Sequence, residues 1–392
     1  MNIGRYIFAQ ITDFIPRYVL DKLVTKYKGD FHVKELTCYN QFLHLLFGQL
    51  TGCDSLHEIC LCLDAHKNIL YHLGFRNTVT ISSLSRANEN RDYRIYEELG
   101  FYLIQWVRPL YANTPITDII TDKVIYALDS TTISISIKLA TWALGKYSRG
   151  AVKMHTLLDL RGSIPVNIYI TDGKWHDNNM WQHIAIEPGA IYTADKAYID
   201  FAQMYRIHLA GAFFVMRPKD NMRFEVVREL NDDKLTSTVR ADFAVRLIGN
   251  KSKKLYPDEL RIVKALDPDT GELITFITNN FEFNPLEIAN IYRHRWDIEV
   301  FFKWIKQNIT IKSLWGYSEN AVKTHLWVAI SAYLLLAKIK ADTKSPYTIT
   351  EVASIIRVSA FERTDLRELL TRPINSNLSD QNVKEQLLFN DL

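Results

Sequence analysis

The sequence is poor in cysteine, in net charge and in long apolar runs. It has four cysteines, all between residues 38 and 62, and none of them forms a Cys-x-x-Cys pair. This argues against a disulfide framework or a zinc site and favours reduced thiols in a cytosolic protein. The net charge is only +3, from 47 basic and 44 acidic residues. Any nucleic-acid surface must therefore come from local clustering of cations rather than from global charge.

The sequence also lacks a secretory signal. The most apolar run, Leu326–Ala337, is too short to cross a bilayer and suits a buried helix. The N-terminus carries Arg5 and Asp13 without a long apolar stretch, so we expect no signal peptide and a cytoplasmic protein. With 392 residues, of which 47% are hydrophobic, the chain is long enough for two or three domains.

The first 118 residues are expected to be helical. Residues 55–64 have apolar side chains at the spacing of an amphipathic helix. After a short turn comes a polar segment that includes Arg86 and Arg91. A helix, a turn and a second helix rich in arginine and asparagine is the order of a helix-turn-helix motif, which would bring Arg86 and Arg91 to DNA. An ordinary solvated helix face explains the same pattern.

Near residue 119 the pattern changes to alternating strands and helices. Strands are predicted over 123–131, 154–160, 164–171, 190–194 and 212–216, and helices over 177–186 and 201–210. Three strands followed by helix, strand, helix and strand predict an antiparallel part that continues into parallel strands. This is the order of a ribonuclease H-like sheet. We therefore expect an α/β fold of that class, preceded by an all-helical N-terminal domain.

A second group of strands is predicted between residues 217 and 280. The candidate segments are 224–230, 241–248, 260–265 and 273–278. We expect them to form a β insertion within the α/β domain. The predicted domains are a helical DNA-binding domain (1–118), a catalytic domain that includes the insertion (119–340) and a helical C-terminal tail (341–392).

A long helix with a reactive edge is predicted over residues 284–308. Asn284 is a good N-cap, Pro285 suits the first helical position and Glu287 can close a capping box. Further along, a phenol, a carboxylate and two cations recur at helical spacing: Tyr292, Arg295, Glu299 and Lys306. At about 100° per residue they lie within about 60° of one another. Such an edge suits phosphate chemistry, although an ion pair on a solvated helix explains part of it when taken alone.

Two aspartates change this assessment. Asp129 is predicted at the end of the first strand and Asp195 at the end of the fourth, and these strands can be neighbours. An acid without a partner at the end of a buried strand is costly unless it is paired or binds a metal ion. Together with Glu299, the two aspartates would form an oxygen-rich site that suits Mg²⁺. Two such ions about 3.5–4 Å apart promote phosphoryl transfer.

These residues resemble the insertion-sequence-four family of DDE transposases. The family signature Tyr-x2-Arg-x3-Glu-x6-Lys is matched without deviation by Tyr292, Arg295, Glu299 and Lys306. The two aspartate motifs are matched by Leu128-Asp129-Ser130-Thr131 and by Ala194-Asp195-Lys196-Ala197-Tyr198. The order of helical domain, ribonuclease H-like core and β insertion is similar as well, so the resemblance covers roughly residues 1–340.

The resemblance implies a reaction and a set of partners. Such enzymes bind the terminal inverted repeats of their own element, cut the DNA at its ends and join the ends to target DNA. By this resemblance two Mg²⁺ ions, which Mn²⁺ would replace, are held by Asp129, Asp195 and Glu299. The phosphates near the cut would be held by Tyr292, Arg295 and Lys306. The implied partners are double-stranded DNA, as transposon end and target, and a second copy of the chain, at the nucleoid in the cytoplasm.

Other residues give weaker signals. Lys153 and His155 share one face of the predicted second strand and would face the DNA from there. Arg217 and Lys219 follow a strand near the site, where cations suit contacts with the phosphate backbone. Asp177 resembles a family loop, but the start of a helix explains this residue equally well.

The last strand of the insertion departs from the pattern of some family members. These place a tryptophan there to trap a flipped base, whereas residues 273–280 contain none. Phe276 would be the substitute, although an apolar strand residue is more often part of the core. The resemblance therefore does not imply that DNA is cleaved through a hairpin intermediate.

Three other functions fit parts of the pattern. A nuclease or resolvase of the same fold would cut DNA without joining it. A DNA-binding protein descended from a transposase would have lost catalysis, and the three intact carboxylates argue against it. A glycosidase with a carboxylate pair would not need the cations beside Glu299.

Overall fold

A computed structural model describes residues 4–135, 142–143, 145, 150–230, 238–308 and 314–372. The helices are α1 (Ile7–Thr12), α2 (Arg17–Lys26), α3 (Cys38–Thr51), α4 (Leu56–Ala65), α5 (Leu70–Leu73), α6 (Ile81–Asn90), α7 (Arg94–Val107), α8 (Phe201–Leu209), α9 (Ser252–Leu255), α10 (Pro285–Arg293), α11 (Asp297–Asn308), α12 (Glu319–Thr343), α13 (Ile349–Ser359) and α14 (Leu366–Thr371). The strands are β1 (Ile125–Ile135), β2 (Gly150–Asp159), β3 (Ile164–Asp172), β4 (Ile191–Ala194), β5 (Phe213–Met216), β6 (Phe224–Glu229), β7 (Val239–Leu247), β8 (Leu260–Leu266) and β9 (Leu273–Thr278).

The described strands form one mixed sheet in the order β3-β2-β1-β4-β5-β9-β8-β7-β6. β1, β2 and β3 are antiparallel neighbours, and β4 and β5 run parallel to β1. The predicted mixed α/β fold with a helical N-terminal region is thus confirmed. The strands of the predicted insertion, β6 to β9, extend this same sheet. β9 joins it through two residue pairs with β5, Val215 with Thr278 and Met216 with Ile277.

One face of the sheet is covered by a large apolar core. Its buried members include Leu128, Tyr192 and Trp181. Trp181 lies in a 3-10 segment, Asp177–His183, where we had predicted an α-helix over 177–186. The guanidinium of Arg206 donates to the carbonyls of Trp181 and Ile184. The carbonyl of Trp181 also accepts from the N–H of Ile184, three residues later, which is the bond of a 3-10 helix and ends the segment.

A buried ion pair ties the outer strands to the connection that precedes α10. Arg261 on β8 donates to both carboxylate oxygens of Asp242 on β7, each at 2.8 Å. The same guanidinium donates to the carbonyls of Asn280 and Phe283. Since both charged side chains are fully buried, this geometry satisfies groups that would otherwise be costly to desolvate.

The chain divides into two compact units. One contains the residues up to Leu84 together with those from Leu335 onward, so α1 to α5 pack with α13 and α14. Within it, the backbone N–H of Ile7 donates to the carbonyl of Glu362. The other unit spans Ser85–Leu334 and holds the sheet. The predicted domain boundaries at residues 118 and 340 stay predictions.

The segment expected to be a helix-turn-helix has an additional helix. The first predicted helix is α4, and the second is α6, but α5 lies between them in the chain. The two predicted helices are therefore not joined by the short turn that the motif requires. This part of the prediction was wrong because residues 70–73 complete a helical turn of their own, which ends at Gly74 in a left-handed conformation.

α12 is by length and composition apolar enough to cross a membrane. However, 94% of its most apolar window is buried inside the protein. The buried stretch includes the run Leu326–Ala337, and every residue of that run has at most 4% of its surface exposed. The helix thus has the burial of a core helix, as predicted for this run.

Candidate active site

Asp129 and Asp195 lie next to each other on parallel strands. The pairing of β1 with β4 ends at Leu128 and Ala194, and the two aspartates follow directly. Asp195 ends its strand as predicted, and its carboxylate accepts from the N–H of Lys196 at 2.6 Å. Asp129 does not end its strand, because β1 continues to Ile135 while it pairs with β2 alone. Asp129 therefore lies where β1 loses one of its two neighbours.

The helix predicted over 284–308 begins as expected but is interrupted. Asn284 and Glu287 form the capping box, with Pro285 in the first turn. α10 ends at Arg293, a 3-10 segment covers His294–Trp296, and α11 begins at Asp297. His294 explains the break, because its ring contacts the carbonyl of Thr117 and the carboxylate of Asp297.

Arg295 joins two of the three predicted carboxylates. Its guanidinium lies 3.3 Å from Asp129 and 3.2 Å from Glu299. Arg295 has 9% of its side chain exposed, against 21% for Asp129 and 41% for Glu299. The solvated Arg295–Glu299 pair that we considered from the sequence is thus present, but it is the outer half of a bridge that reaches the sheet.

The charge at this position is not fully balanced. Burial raises the pKa of Asp129 to about 6. The N–H of Ser130 and the charge of Arg295 lower this pKa, whereas the charges of Glu299 and Asp195 raise it further. Both other carboxylates are therefore close enough to disfavour the ionised form of Asp129, and Arg295 does not compensate for its burial.

The chemistry of this donor set fits Mg²⁺, which prefers carboxylate oxygens. The repulsion at Asp129 is also what a cation would relieve. Within the described residues, however, no three acidic, histidine or cysteine side chains are already arranged around one point. Arg295 lies between Asp129 and Glu299 in this conformation. The carboxylates thus have the chemistry and the proximity that a metal ion requires, but their oxygens do not surround one point in this conformation.

A cleft with two lysines opens beside these acids. It has a volume of about 440 Å³ and is lined by Asp129, Ser130, Thr131, Glu299, Phe302, Lys303, Lys306 and Gln307. Lys306 was predicted from the family signature, whereas Lys303 was not. Both lysines are exposed on α11, one turn apart. The cleft thus offers two cations to an anion that approaches Asp129 and Glu299.

A second cavity of about 470 Å³ lies on the side of Asp195. Its lining includes Arg217, Phe276, Tyr292, Arg295 and Trp296. Tyr292 is buried against Phe276, with ring centroids 5.2 Å apart. Phe276 is only 3% exposed, which agrees with a role in the core. Trp296 is 59% exposed, and sequence analysis did not single it out.

The other predicted DNA contacts differ in accessibility. Arg217 and Arg86 are exposed. Lys219 is exposed as well, and its ammonium donates to the carbonyl of Ile199. Arg91 is buried, with 9% of its surface exposed. Accessibility thus leaves Arg86, Arg217 and Lys219 open to a ligand in this conformation.

Lys153 and His155 share one face of β2 as predicted, but they point into the protein. His155 has no exposed side-chain surface, and Lys153 forms an ion pair with Asp177 at 3.1 Å. Asp177 is the first residue of a helical segment, which agrees with the helix start that the sequence indicates. Its carboxylate, however, binds Ser130 and Lys153 on the two neighbouring strands. In the sequence, the signal for this acid is the pair of basic side chains, Lys153 and His155, on one face of a buried strand, because a buried cation requires a carboxylate partner.

The family model described as Transposase DDE domain matches residues 120–335. The chain belongs to this family. A second model, for a domain of unknown function (DUF4372), matches residues 4–76 of this transposase. The resemblance to transposases of the insertion-sequence-four type is thereby confirmed.

Curated relatives carry matching names. A putative transposase, y4zB, of Sinorhizobium fredii is 36% identical over 251 residues, which is 63% of this chain and 69% of the relative. A probable transposase for insertion sequence element IS5377 of Geobacillus stearothermophilus is 31% identical over 58% of this chain and 60% of its own length. A putative transposase for element IS4SA of Synechocystis is 27% identical, over 75% of this chain and 83% of the relative.

Proposed function

We propose that this transposase binds the terminal inverted repeats of an insertion sequence, cuts the DNA at the ends and joins the ends to target DNA. The reaction we propose is metal-dependent phosphoryl transfer. The observation that carries the proposal is that Asp129, which lies beside Asp195 on the sheet and is joined to Glu299 through Arg295, borders a cleft that two lysines line. Three acids alone would suit many hydrolases, but acids beside exposed cations suit a substrate made of phosphodiesters.

We infer that the sheet has a ribonuclease H-like core. The order β3-β2-β1-β4-β5, with three antiparallel strands followed by two strands parallel to the first, supports this inference. In such a sheet β1 and β4 are parallel neighbours, and Asp129 and Asp195 directly follow the last residue pair between them. Strands β6 to β9 would then be the insertion, joined to the core through β5.

Asp129, Asp195 and Glu299 would hold Mg²⁺, with Mn²⁺ as a substitute and two ions in each active site. Ions bound there would activate the attacking oxygen and stabilise the leaving oxygen of the phosphodiester. The raised pKa of Asp129 supports this role, because a carboxylate that burial and two other acids disfavour gains most from a cation. Before loading, Arg295 supplies part of that positive charge.

The cations of α11 would hold the DNA. Lys303 and Lys306 line the cleft beside Glu299, so their ammonium groups can bind the oxygens of the phosphate that is cut and of its neighbour. Arg295 adds positive charge behind the two acids, although its side chain is only 9% exposed. Tyr292 would fix the orientation of Arg295, whose guanidinium carbon lies 5.7 Å from the centre of its ring.

The proposed partners are two regions of double-stranded DNA, the transposon end and the target, and a second copy of the chain. The helical N-terminal domain, with Arg86 on α6, would bind the repeat. Arg217 and Lys219 would contact the phosphate backbone next to Asp195. We place this reaction at the nucleoid in the cytoplasm.

The proposal is tested with the purified full-length protein and a labelled duplex that carries the inverted repeat flanking the gene. In Mg²⁺ or Mn²⁺, we expect cuts at the end of the repeat, followed by joining to a supercoiled plasmid. Chelation with EDTA should abolish both. Asp129→Asn, Asp195→Asn and Glu299→Gln should each lower cutting by at least ~10³-fold. Asp258→Asn, which removes a half-exposed carboxylate near His208, is the control and should cut normally.

Each contrary result has a distinct meaning. Cutting without joining would replace the transposase proposal by a nuclease of the same fold. Binding of the repeat without cutting in either metal would favour a DNA-binding protein that has lost catalysis. Normal cutting by Asp129→Asn would refute the assignment of the active site while leaving the reaction intact. Activity that resists EDTA would refute the role of the metal.

A further inference from the structure

A cluster of charged side chains lies behind the active-site strands. Successive residues of a strand point to opposite faces of the sheet, so Ser130 faces away from Asp129. Ser130 pairs with His155 across β1 and β2, and Lys153 lies two residues before His155 on the same face. The side of the sheet opposite to Asp129 thus presents a hydroxyl, an imidazole and an ammonium group side by side.

Asp177 forms hydrogen bonds with the hydroxyl and the ammonium group, and it lies beside the imidazole, whose Nδ1 atom has no hydrogen bond among the described residues. Its Oδ1 atom accepts from the Ser130 hydroxyl at 2.8 Å and lies 3.5 Å from Nδ1 of His155. The Lys153 ammonium donates to both carboxylate oxygens, at 3.1 and 3.2 Å, and to the carbonyl of Trp175. A single carboxylate from the 3-10 segment therefore connects side chains of β1 and β2.

The cluster is a neutral arrangement that keeps Asp177 ionised. Burial lowers the pKa of His155 to about 4, so the imidazole is uncharged and Lys153 is the counter-ion. Nε2 of His155 contacts the hydroxyl of Thr171 on β3 at 3.0 Å. Burial alone would raise the pKa of Asp177, but the hydrogen bonds from Ser130 and Lys153 outweigh it, and the pKa is lowered.

Asp177 binds β1 just beyond the point where the pairing of β1 with β4 ends. Up to Leu128 the strand has β4 on one side and β2 on the other, but from Asp129 onward β2 is its only strand neighbour within the described part of the chain. A strand edge with one neighbour is less constrained than one with two, and an active site tolerates little displacement of its carboxylates. The hydrogen bond from Ser130 to Asp177 restrains the first residue beyond Asp129.

We propose that Asp177 is a positioning residue that holds Ser130 on the far face of the sheet and thereby fixes Asp129 on the near face. It acts through the peptide bond between Asp129 and Ser130, without contact with the DNA. This inference rests on the proposed function, because the effect is measured as DNA cleavage. It assigns to Asp177, Lys153 and His155 a role inside the protein in place of a contact with DNA.

The test compares a half-buried carboxylate that binds β1 and β2 with a buried carboxylate of β2 itself. Asp177→Asn keeps the shape of the side chain but removes its charge, and Ser130→Ala removes only the hydroxyl. Asp159→Asn is the matched control. Asp159 is 2% exposed, pairs with Arg108 and Arg161, and lies at the other end of β2, opposite Tyr126. For each full-length variant we would measure the thermal midpoint, the Kd for the end duplex and the single-turnover cleavage rate in Mg²⁺.

We expect Asp177→Asn to lower the cleavage rate ~10–100-fold, because small displacements of reacting groups have effects of this size, and to leave the Kd within about twofold. Ser130→Ala should lower the rate in the same direction, and the double variant should lose less than the product of the two. Asp159→Asn should cut within about threefold of the parent, even though its thermal midpoint falls at least as far.

Two results would overturn the inference. One is cleavage by Asp177→Asn at the parent rate. The other is an equal loss of rate in Asp177→Asn and Asp159→Asn, because that pattern would reflect lost stability alone. If the parent protein itself does not cut the end duplex, the proposed function fails and the inference with it. If the parent cuts and only the pattern among variants differs, the inference fails alone.

Discussion

The guanidinium of Arg295 lies 3.3 Å from the carboxylate of Asp129, although 166 positions separate the two residues in the chain. The contact connects the break between α10 and α11 to the point where β1 separates from β4. It makes one arginine the shared cation of a strand acid and a helix acid, since Glu299 is bound by the same group.

Replacing Arg295 by glutamine should weaken both the fold and the reaction. Asp129 and Glu299 would lose their cation, which should lower the free energy of unfolding by about 2 kcal/mol, because Glu299 is partly solvated. The cleavage rate should fall ~100-fold or more. Arg295→Lys should lie between the two proteins, because a lysine cannot bridge two carboxylates in the same way. Urea unfolding and single-turnover cleavage measure these effects, and a glutamine variant with parental values of both would contradict the bridge.

Asp129→Asn should stabilise the metal-free protein at neutral and alkaline pH. The pKa of Asp129 is raised from 3.8 to about 6, so the folded state holds its proton more tightly than the unfolded state. Stability from this group is complete below pH 4 and is lost as the pH rises through 6. Asparagine mimics the protonated form, so the variant should exceed the parent by about 1–3 kcal/mol at pH 8 and match it near pH 4. Urea titrations in EDTA at several pH values would show this, and a constant difference across the range would contradict it.

Lys303 and Lys306 should each contribute one phosphate contact. Replacing either lysine by glutamine should reduce the slope of log K against log salt concentration by about 0.9, equally for repeat and random duplexes. The slope is obtained from Kd values that fluorescence anisotropy gives at salt concentrations of about 50–300 mM. Lys253→Gln in α9 removes an exposed lysine outside the cleft and serves as the control. An unchanged slope in Lys303→Gln would remove this residue, which the family signature does not include, from the DNA surface.

Gly162 should be the less replaceable of two glycines with similar backbones. Gly162 has φ +73° and Gly189 has φ +78°, but only at Gly162 would a Cβ atom overlap a neighbouring side chain, the ring of Tyr111. Gly189→Ala should lower the free energy of unfolding by about 1 kcal/mol through backbone strain alone. Gly162→Ala should lower it by about 2–4 kcal/mol, because Tyr111 is buried and must move. Equal losses of unfolding free energy in the two variants would mean that the ring of Tyr111 moves aside without cost.

Much of the active site could be predicted because its signals are local. The apolar runs that end near Asp129 and Asp195 indicated two buried strands, and the strands are indeed neighbours. The capping box at Asn284 correctly marked the start of the helix. These predictions succeeded because hydrophobic runs and caps depend on residues close together in the chain.

The errors arose where distant residues decide the local structure. β1 continues past Asp129 because it pairs with β2 as far as Gly150. The residues after Asp129 are largely polar, so their sequence alone does not predict this pairing. The long helix breaks at His294 because that ring meets Thr117, more than 170 residues earlier. Asp177 starts a helical segment, as the sequence indicates, but its partners lie on β1 and β2, so no local pattern could identify them.

The buried pair of Arg261 and Asp242 has a mechanical consequence. The guanidinium of Arg261 on β8 is hydrogen-bonded to β7 and to the last residues before α10, so one side chain holds these parts together. Displacement of the outer strands would therefore strain the hydrogen bonds at Asn280 and Phe283, directly before the helix that carries Tyr292.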